Sequence, residues 1–528
     1  MLAADGRPLK ASLNRALRRQ KLRALALIAP LLLFILITFV APIFDMLFRS
    51  VENQIVSETL PRTVIALEDW DAEGTPGDAV YDVLAVDFLA AAERREHTRL
   101  GSRLNYETTG MSSLFRRTGR GVDDIGEVYA DQFIDLNPAF EAPSFWVPLV
   151  AENAWAESYD AETGEGPLFI ADAAFEAQFP ATADAYESFA RTIQTEDGDN
   201  PYEEEPWNTV YQALYTDLAA AGGDLGVFAD TPELAQAAAA LPEFETLSAR
   251  EAFLEIDEDW GDPEVFATIQ AFSDPYTAGY FLAAVDLQLT PDGVSVQPEE
   301  QQIYILLFQR TMFMSLAITL SCVLLGYPIA YLLSNLPVRT SNLLLILVLL
   351  PFWTSLLVRT SAWKVLLQQE GVINDILVWI GLVGDGSRLA LINNQTGTII
   401  AMTHILLPFM ILPLFSVMKT IPPSYVRAAK SLGATPFTAF RRVYFPQSVP
   451  GIGAGCILVF ILAIGYYITP ELVGGRTGTF ISNRIAFHIS SSLNWGLAAA
   501  LGSILLALVL VLYWLYDRIV GIDNVKLG

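Results

Sequence analysis

Cysteine is almost absent: the 528 residues hold two, Cys322 and Cys456, both inside apolar runs where a free thiol acts as a small hydrophobe. That excludes a disulfide-stapled scaffold. Residues 51–300 contain no cysteine at all, so thiol usage assigns that region to no redox compartment. Histidine numbers three, and neither His404 nor His488 has ligand-type residues at suitable spacing; both read as packed or interfacial rings, and no metal is expected. There is no G-x-x-x-x-G-K-[ST] loop and no nucleophile constellation. Catalysis is therefore not expected of this chain: it carries no catalytic residues and no cofactor by this reading. No internal repeat of convincing period is visible either.

What is present is hydrophobicity and acid, kept apart. Apolar residues make up 52% of the chain while its formal net charge is −27. Residues 51–300 hold 51 acidic and 10 basic side chains, a balance of −41; the rest holds 8 acidic and 22 basic, a balance of +14. The basic part also carries the long apolar runs. Such segregation points to membrane helices plus one water-exposed acidic domain.

The first apolar run, from about Leu22 to Phe48, follows Arg15, Arg18, Arg19, Lys21 and Arg23. At roughly 25 residues it exceeds a signal-peptide core, and no small-x-small cleavage site precedes Asp45, so an uncleaved anchor helix is expected. Five further spans are expected at about 303–335, 341–367, 396–418, 450–473 and 496–520, each able to cover a hydrocarbon core of roughly 30 Å. Six crossings with a basic N-terminus put Arg339, Lys419, Arg427, Lys430, Arg441, Arg442, Arg518 and Lys526 inside. The acidic region, Glu370, Asp375 and Asp385 fall outside, with Arg388, Arg476 and Arg484 as exceptions there. Within 51–300, helix-like stretches (Val80–Glu96, Pro232–Ala240), turn signals at Asp197 and Asp292, and Trp146, Trp155, Trp207 and Trp260 indicate a folded domain, mixed α/β or mostly helical.

Between the fourth and fifth spans lies SYVRAAKSLGATPFTAFRRVYFPQSVPGI, Ser424–Ile452. Ser424 can cap a short helix ending at Gly433; Thr435 and Pro436 then suit the N-cap and first position of a second, which Pro446 is expected to end. Rimmed by Arg427, Lys430, Arg441 and Arg442, this is either a basic hairpin lying on anionic lipid or a docking knob. Its spacing resembles the EAA loop of binding-protein-dependent ABC permeases, with Ala428, Ala429, Gly433, Val443, Phe445 and Pro446 on the pattern, Ala434 beside it, and Arg427 in place of the usual acid. LPFWTSLLVRTSAWKVLL (Leu350–Leu367), GVINDIL (Gly371–Leu377), LLPFMILPL (Leu406–Leu414), YYITPELVGG (Tyr466–Gly475) and Asn494-Trp495 look like the spermidine/putrescine branch, although Ser361 stands where that branch usually has Tyr.

The resemblance is weak over residues 1–50, strong over 303–528 and does not cover the insert; it implies the type I ABC importer permease fold, with loop 424–446 coupling to an ATPase. With the spans and charges above, the expected fold is all-α and polytopic with six transmembrane helices: residues 1–50 as basic N-terminus and first helix, 51–300 as an acidic periplasmic insert between helices 1 and 2, and 301–528 as a five-helix core. The resemblance further implies a cytoplasmic ATPase dimer that binds the ATP, a second homologous permease, a periplasmic solute-binding protein, surrounding membrane lipid, no nucleic acid, and residence in a bacterial inner membrane with both termini cytoplasmic. For the substrate path the candidates are Glu471, whose carboxylate suits a cation, with Tyr466, Tyr467, Trp353 and Trp363 as aromatic wall; the alternative for these rings is an interfacial belt, and for Glu471 a solvated outer acid. Pro470, Gly474 and Gly475 are expected to unwind the helix there. The insert either docks the binding protein, gathers cations by its field, or is simply a solvated domain. The expected cargo is a polyamine such as spermidine or putrescine, with an amino-acid-like compound, another cation or an anion as the alternative; an ion-coupled secondary transporter would need mid-membrane acids or histidines that are scarce here, and a membrane receptor would need a larger cytoplasmic domain.

Overall fold

The computed structural model describes residues 9–290 and 293–520, so the turn expected at Asp292 and the basic Lys526 lie outside it, as do the side chains of Arg15, Arg18 and Arg19. The chain forms two compact units: one from residues up to 51, 278–287 and 296 onward, the other from 52–277 and 288–295.

In the first unit, α1 (Leu9–Ile35) runs through a π turn (Leu36–Val40) into α2 (Ala41–Arg49), and Gln20–Arg49 is apolar enough to cross a bilayer. Proline 42 explains the π turn: its ring cannot donate a hydrogen bond and collides with the carbonyl four residues back, and a wider turn relieves both. After the second unit the chain continues as α7 (Tyr304–Asn335), α8 (Val338–Leu349), α9 (Leu356–Leu366), α10 (Gln395–Thr420), α11 (Pro423–Ser431), α12 (Pro436–Ala439), α13 (Phe445–Gly465), α14 (Ile468–Val473), α15 (Ile481–Ser490) and α16 (Trp495–Val520). The N-terminus of α7 is closed by buried Asp286, whose carboxylate accepts from the backbone N–H groups of Ile303, Tyr304 and Ile305 at 3.1, 2.8 and 2.9 Å.

Helices α7, α10 and α13 make the core, with Met314, Ile318, Cys322, Leu406, Met410, Leu414, Val459 and Ala463 buried between them. Close approach is set at Gly455, where a Cβ would lie 2.5 Å from the sulfur of Met410. Two expected spans are corrected. The stretch 341–367 is not straight: α8 leads into a 3₁₀ turn (Leu350–Trp353) containing Pro351, Thr354 and Ser355 are extended, and α9 departs at 93°. The expected span 450–473 instead runs from Pro436 to Gly465 and breaks at Tyr466. Among the described residues, five helices are thus long and apolar enough to cross a membrane, six if the bent pair is one span.

The second unit is helical apart from a short β-hairpin, Leu287–Thr290 with Gly293–Val296, which starts in the first unit. Among the described residues its helices form two cores that share one set of contacts without a sequence period: residues 56–125 with 249–272, and residues 129–237. In one, α3 (Pro61–Ala66) follows Leu60 (φ −125°, ψ 55°), and Thr63 donates from its N–H and Oγ1 to Asp87 of α4 (Asp78–Glu93) at 2.8 and 2.9 Å. In the other, α5 (Pro180–Thr192) follows Phe179 (φ −130°, ψ 66°), and Thr182 donates likewise to Asp217 of α6 (Asn208–Ala221) at 2.7 Å each. Tyr81 and Tyr211, six residues before those acids, donate to the carbonyls of Trp260 and Phe140 at 2.7 and 2.9 Å. Both carbonyls lie in 3₁₀ turns opened by an extended capping residue, Asp257 or Asn137. The shared contacts escape a periodicity search because the turn follows its helices in the outer core and precedes them in the inner one, which is inserted within the outer.

Candidate functional site

The elbow between α10 and α13 is built by local rules. Pro422 and Pro423 fix the start of α11, so Ser424 lies inside the helix rather than capping it, as had been expected. Its end is a Schellman closure: the Gly433 N–H reaches the Lys430 carbonyl at 3.0 Å, and the Ala434 N–H reaches that of Ala429 at 3.1 Å. This requires Gly433 to adopt φ +90°, and no atom lies within 4 Å of where a Cβ would stand. Thr435 then caps α12, accepting from the Thr438 N–H at 3.2 Å, with Pro436 at the first position. Pro446 does not end the helix. A π turn (Phe440–Tyr444) again precedes the proline and carries α12 into α13 without interruption.

Arg427 and Ala428 are exposed and Ala429 and Ala434 half-buried, so the small residues leave one side of α11 open. At the tip two large apolar side chains face outward, Leu432 at 89% and Phe437 at 71% exposure. Val443 is half-buried in the π turn, while Phe445 and Pro446 lie exposed just beyond it. The elbow is clamped to α7 by residues that sequence reasoning missed. Buried Tyr444 meets the Tyr331 ring edge-on at 5.1 Å and the Ser334 hydroxyl at 3.2 Å; Phe440 packs on Tyr327 and Tyr331; the Tyr327 hydroxyl meets that of Ser448 at 2.9 Å. The signal was there, since Tyr327, Tyr331 and Ser334 recur at helical spacing on one face of α7.

The second cluster forms where α13 breaks. Tyr466 is extended (ψ 131°) and the next helix starts at Ile468, so the chain unwinds first at Tyr466 and Tyr467, ahead of the expected position, and again within that position, where the helix ends at Val473 and Gly475 takes φ +53°. Pro470 sits inside α14, where its missing N–H costs nothing near a helix start. The freed carbonyls of Tyr466 and Tyr467 accept from Ser482 Oγ at 2.7 Å and Asn483 Nδ2 at 2.9 Å. Asn483 Nδ2 also donates to Glu471 Oε2 at 2.6 Å, fixing that exposed carboxylate beside the break. Thr360 of α9 meets Thr469 of α14 hydroxyl to hydroxyl at 3.2 Å, which brings the bent pair to the same place. Trp363, one turn along α9, donates from Nε1 to His404 Nδ1 at 3.1 Å. Tyr466, Tyr467 and Glu471 are thus assembled around one break, Trp363 lies one turn from the Thr360–Thr469 contact with its ring against His404, and Trp353 is 86% exposed at the bend. Asn483 and Ser482 carry no sequence signal of their own, because their partners are backbone carbonyls freed only by the fold. Among the described residues no His, Cys, Asp and Glu group is arranged to hold a metal.

Residues 312–520, which contain the elbow and the break and leave out 52–277, match the family of binding-protein-dependent transport system inner membrane components. The chain is 35% identical over 222 residues to the spermidine/putrescine transport system permease protein PotB of Salmonella typhimurium (strain SL1344), covering 42% of this chain and 77% of that protein. It is 33% identical over 238 residues to the inner membrane ABC transporter permease protein YdcU of Escherichia coli (strain K12), covering 43% of this chain and 74% of that one. Among solved structures it is similar to a chain of a bacterial alginate ABC transporter in complex with alginate pentasaccharide-bound periplasmic protein, at 20% identity and a TM-score of 0.35, covering 44% of this chain and 82% of the other.

Proposed function

The chain belongs to the binding-protein-dependent transport system inner membrane components, the permease subunits of ABC importers, and on that premise we propose that its cargo is a polyamine of the spermidine or putrescine class. The observation that carries this is the relationship to a spermidine/putrescine permease across 77% of that protein's length. The local chemistry agrees with it. Glu471 supplies Coulomb attraction for an ammonium group, and Tyr466, Tyr467 and Trp363 supply ring faces for cation–π contact at an unwound stretch of backbone.

The elbow is the coupling element in this reading. Leu432 and Phe437 project from a knob whose Ala428, Ala429 and Gly433 allow close approach, and a groove on a separate cytoplasmic ATPase dimer would bury them. Closure of that dimer moves α11 as a rigid body, and the Tyr444–Tyr331 clamp passes the movement to α7. The bent pair counts as one span, giving six, with both termini in the cytoplasm of a bacterial cell. Of the basic residues this places outside, Arg388 is neutralised by Asp375 at 2.7 Å and Asp385 at 2.9 Å, so it does not oppose the charge bias. A second, homologous permease completes the pathway, and an external solute-binding protein delivers the cargo onto the acidic insert.

Isothermal titration of the cognate solute-binding protein with putrescine and spermidine tests the cargo. Saturable binding of either is expected. A binding protein that takes neither, while still stimulating the ATPase when loaded with another solute, removes the polyamine and leaves the permease.

A further inference from the structure

Arg359 is a cation that the fold has left without an anion. It lies on the face of α9 that carries Leu356, Thr360 and Trp363, all turned toward α10 and α14. Its Nε is buried with no hydrogen-bond partner, and none of the ion pairs among the described residues includes it. A guanidinium at membrane depth is costly and normally paired.

The ring beside it is held neutral. Trp363 Nε1 can only donate, so its 3.1 Å bond to His404 Nδ1 requires that nitrogen to be bare and the imidazole neutral. Its neighbour Thr360 meets Thr469 of α14 hydroxyl to hydroxyl at 3.2 Å, which puts this turn of α9 beside the broken helix. Glu471, the acid beside the break, accepts from Asn483 and makes no ion pair with Arg359.

We propose that Arg359 is the electrostatic barrier of the translocation pathway, a fixed positive charge on its wall that turns back small inorganic cations and keeps the wall's affinity for a cationic cargo low enough for release. An open route for an organic cation otherwise admits alkali ions and protons down the membrane potential, and one guanidinium on its wall, its Nε shielded from water, opposes them. A pathway binding site must also be weak enough to leave. The aromatic rings and Glu471 attract the cargo; Arg359 offsets that attraction close by. This inference rests on reading the Tyr466–Glu471 break as the pathway wall.

The test uses the assembled transporter, this chain with its ATPase and second permease, in proteoliposomes loaded with ⁸⁶Rb⁺ and given no polyamine. Arg359→Gln should raise ATP-driven Rb⁺ efflux on the order of tenfold, at the low end of what a fixed charge does to ion access, while Arg359→Lys keeps the vesicles tight. Unchanged efflux in Arg359→Gln overturns the barrier. Loss of assembly in Arg359→Gln on gel filtration, restored in Arg359→Lys with no leak in a charge-reversed partner, would make the residue an intersubunit ion-pair partner and also overturn it. Tyr467→Cys in a Cys322→Ala, Cys456→Ala background separates the two readings: labelling by a membrane-impermeant thiol reagent with unchanged leak sinks the barrier alone, whereas no labelling sinks the pathway wall as well.

Discussion

Gly433 and Asn483 show how single residues hold the two sites. At Gly433 the backbone is left-handed with open space around it, so the side chain matters only through the main chain. Gly433→Ala should cost about 1 kcal/mol of local strain and leave transport largely intact. Gly433→Pro is different, since proline cannot reach φ +90° and removes the N–H that closes α11 on Lys430. It should abolish stimulation of the ATPase by loaded binding protein while the chain still inserts, measured as phosphate release beside a membrane-flotation control. At the break, Asn483→Ala strips one donor from both the Tyr467 carbonyl and Glu471, leaving polar groups unsatisfied at about 1–3 kcal/mol. Uptake of labelled putrescine should fall about tenfold or more, and uptake equal to the parent's would remove Asn483 from the site.

Among the elements, those governed by local chemistry were legible and those governed by compensation were not. The cap at Thr435, the left-handed glycine at 433 and the helix over 232–240 all follow from residues adjacent in sequence. Pro446 reads as a helix stop because nothing in the sequence announces a π turn; the preceding turn widens, and the helix continues. The α8–α9 bend reads as a straight span because apolar composition is the same either way. The two cores in the acidic unit share Tyr-x-x-Leu-x-x-Asp at 81–87 and 211–217, a motif too short to stand out once the order of elements is permuted. Their equivalence is testable. Asp217→Ala leaves the Thr182 N–H and hydroxyl unpaired, and Asp87→Ala does the same at Thr63. Hydrogen exchange should show protection lost in 180–192 and 208–221 for the first and in 61–66 and 78–93 for the second. Collapse of both cores in either variant would mean one cooperative core instead of two.

For the whole molecule, charge decides the division of labour. The region 51–300 carries −41 and the rest +14, so one chain spans two dielectric worlds. If the acidic unit concentrates cations or docks the binding protein through its field, deleting 52–277 should lower uptake at low salt and matter less as ionic strength rises past the point where the Debye length is about 8 Å. Uptake unchanged across that range would make the unit a solvated passenger. Either outcome leaves open the coupling role proposed for the elbow between α10 and α13. Leu432, at 89% exposure, is the place to ask. A short bifunctional cross-linker applied to Leu432→Cys in inverted vesicles should join this chain to the ATPase subunit and become slower to react when ATP closes the dimer. Reaction of the same cysteine with impermeant reagent in right-side-out vesicles, with no cross-link to an ATPase, would contradict the coupling role outright.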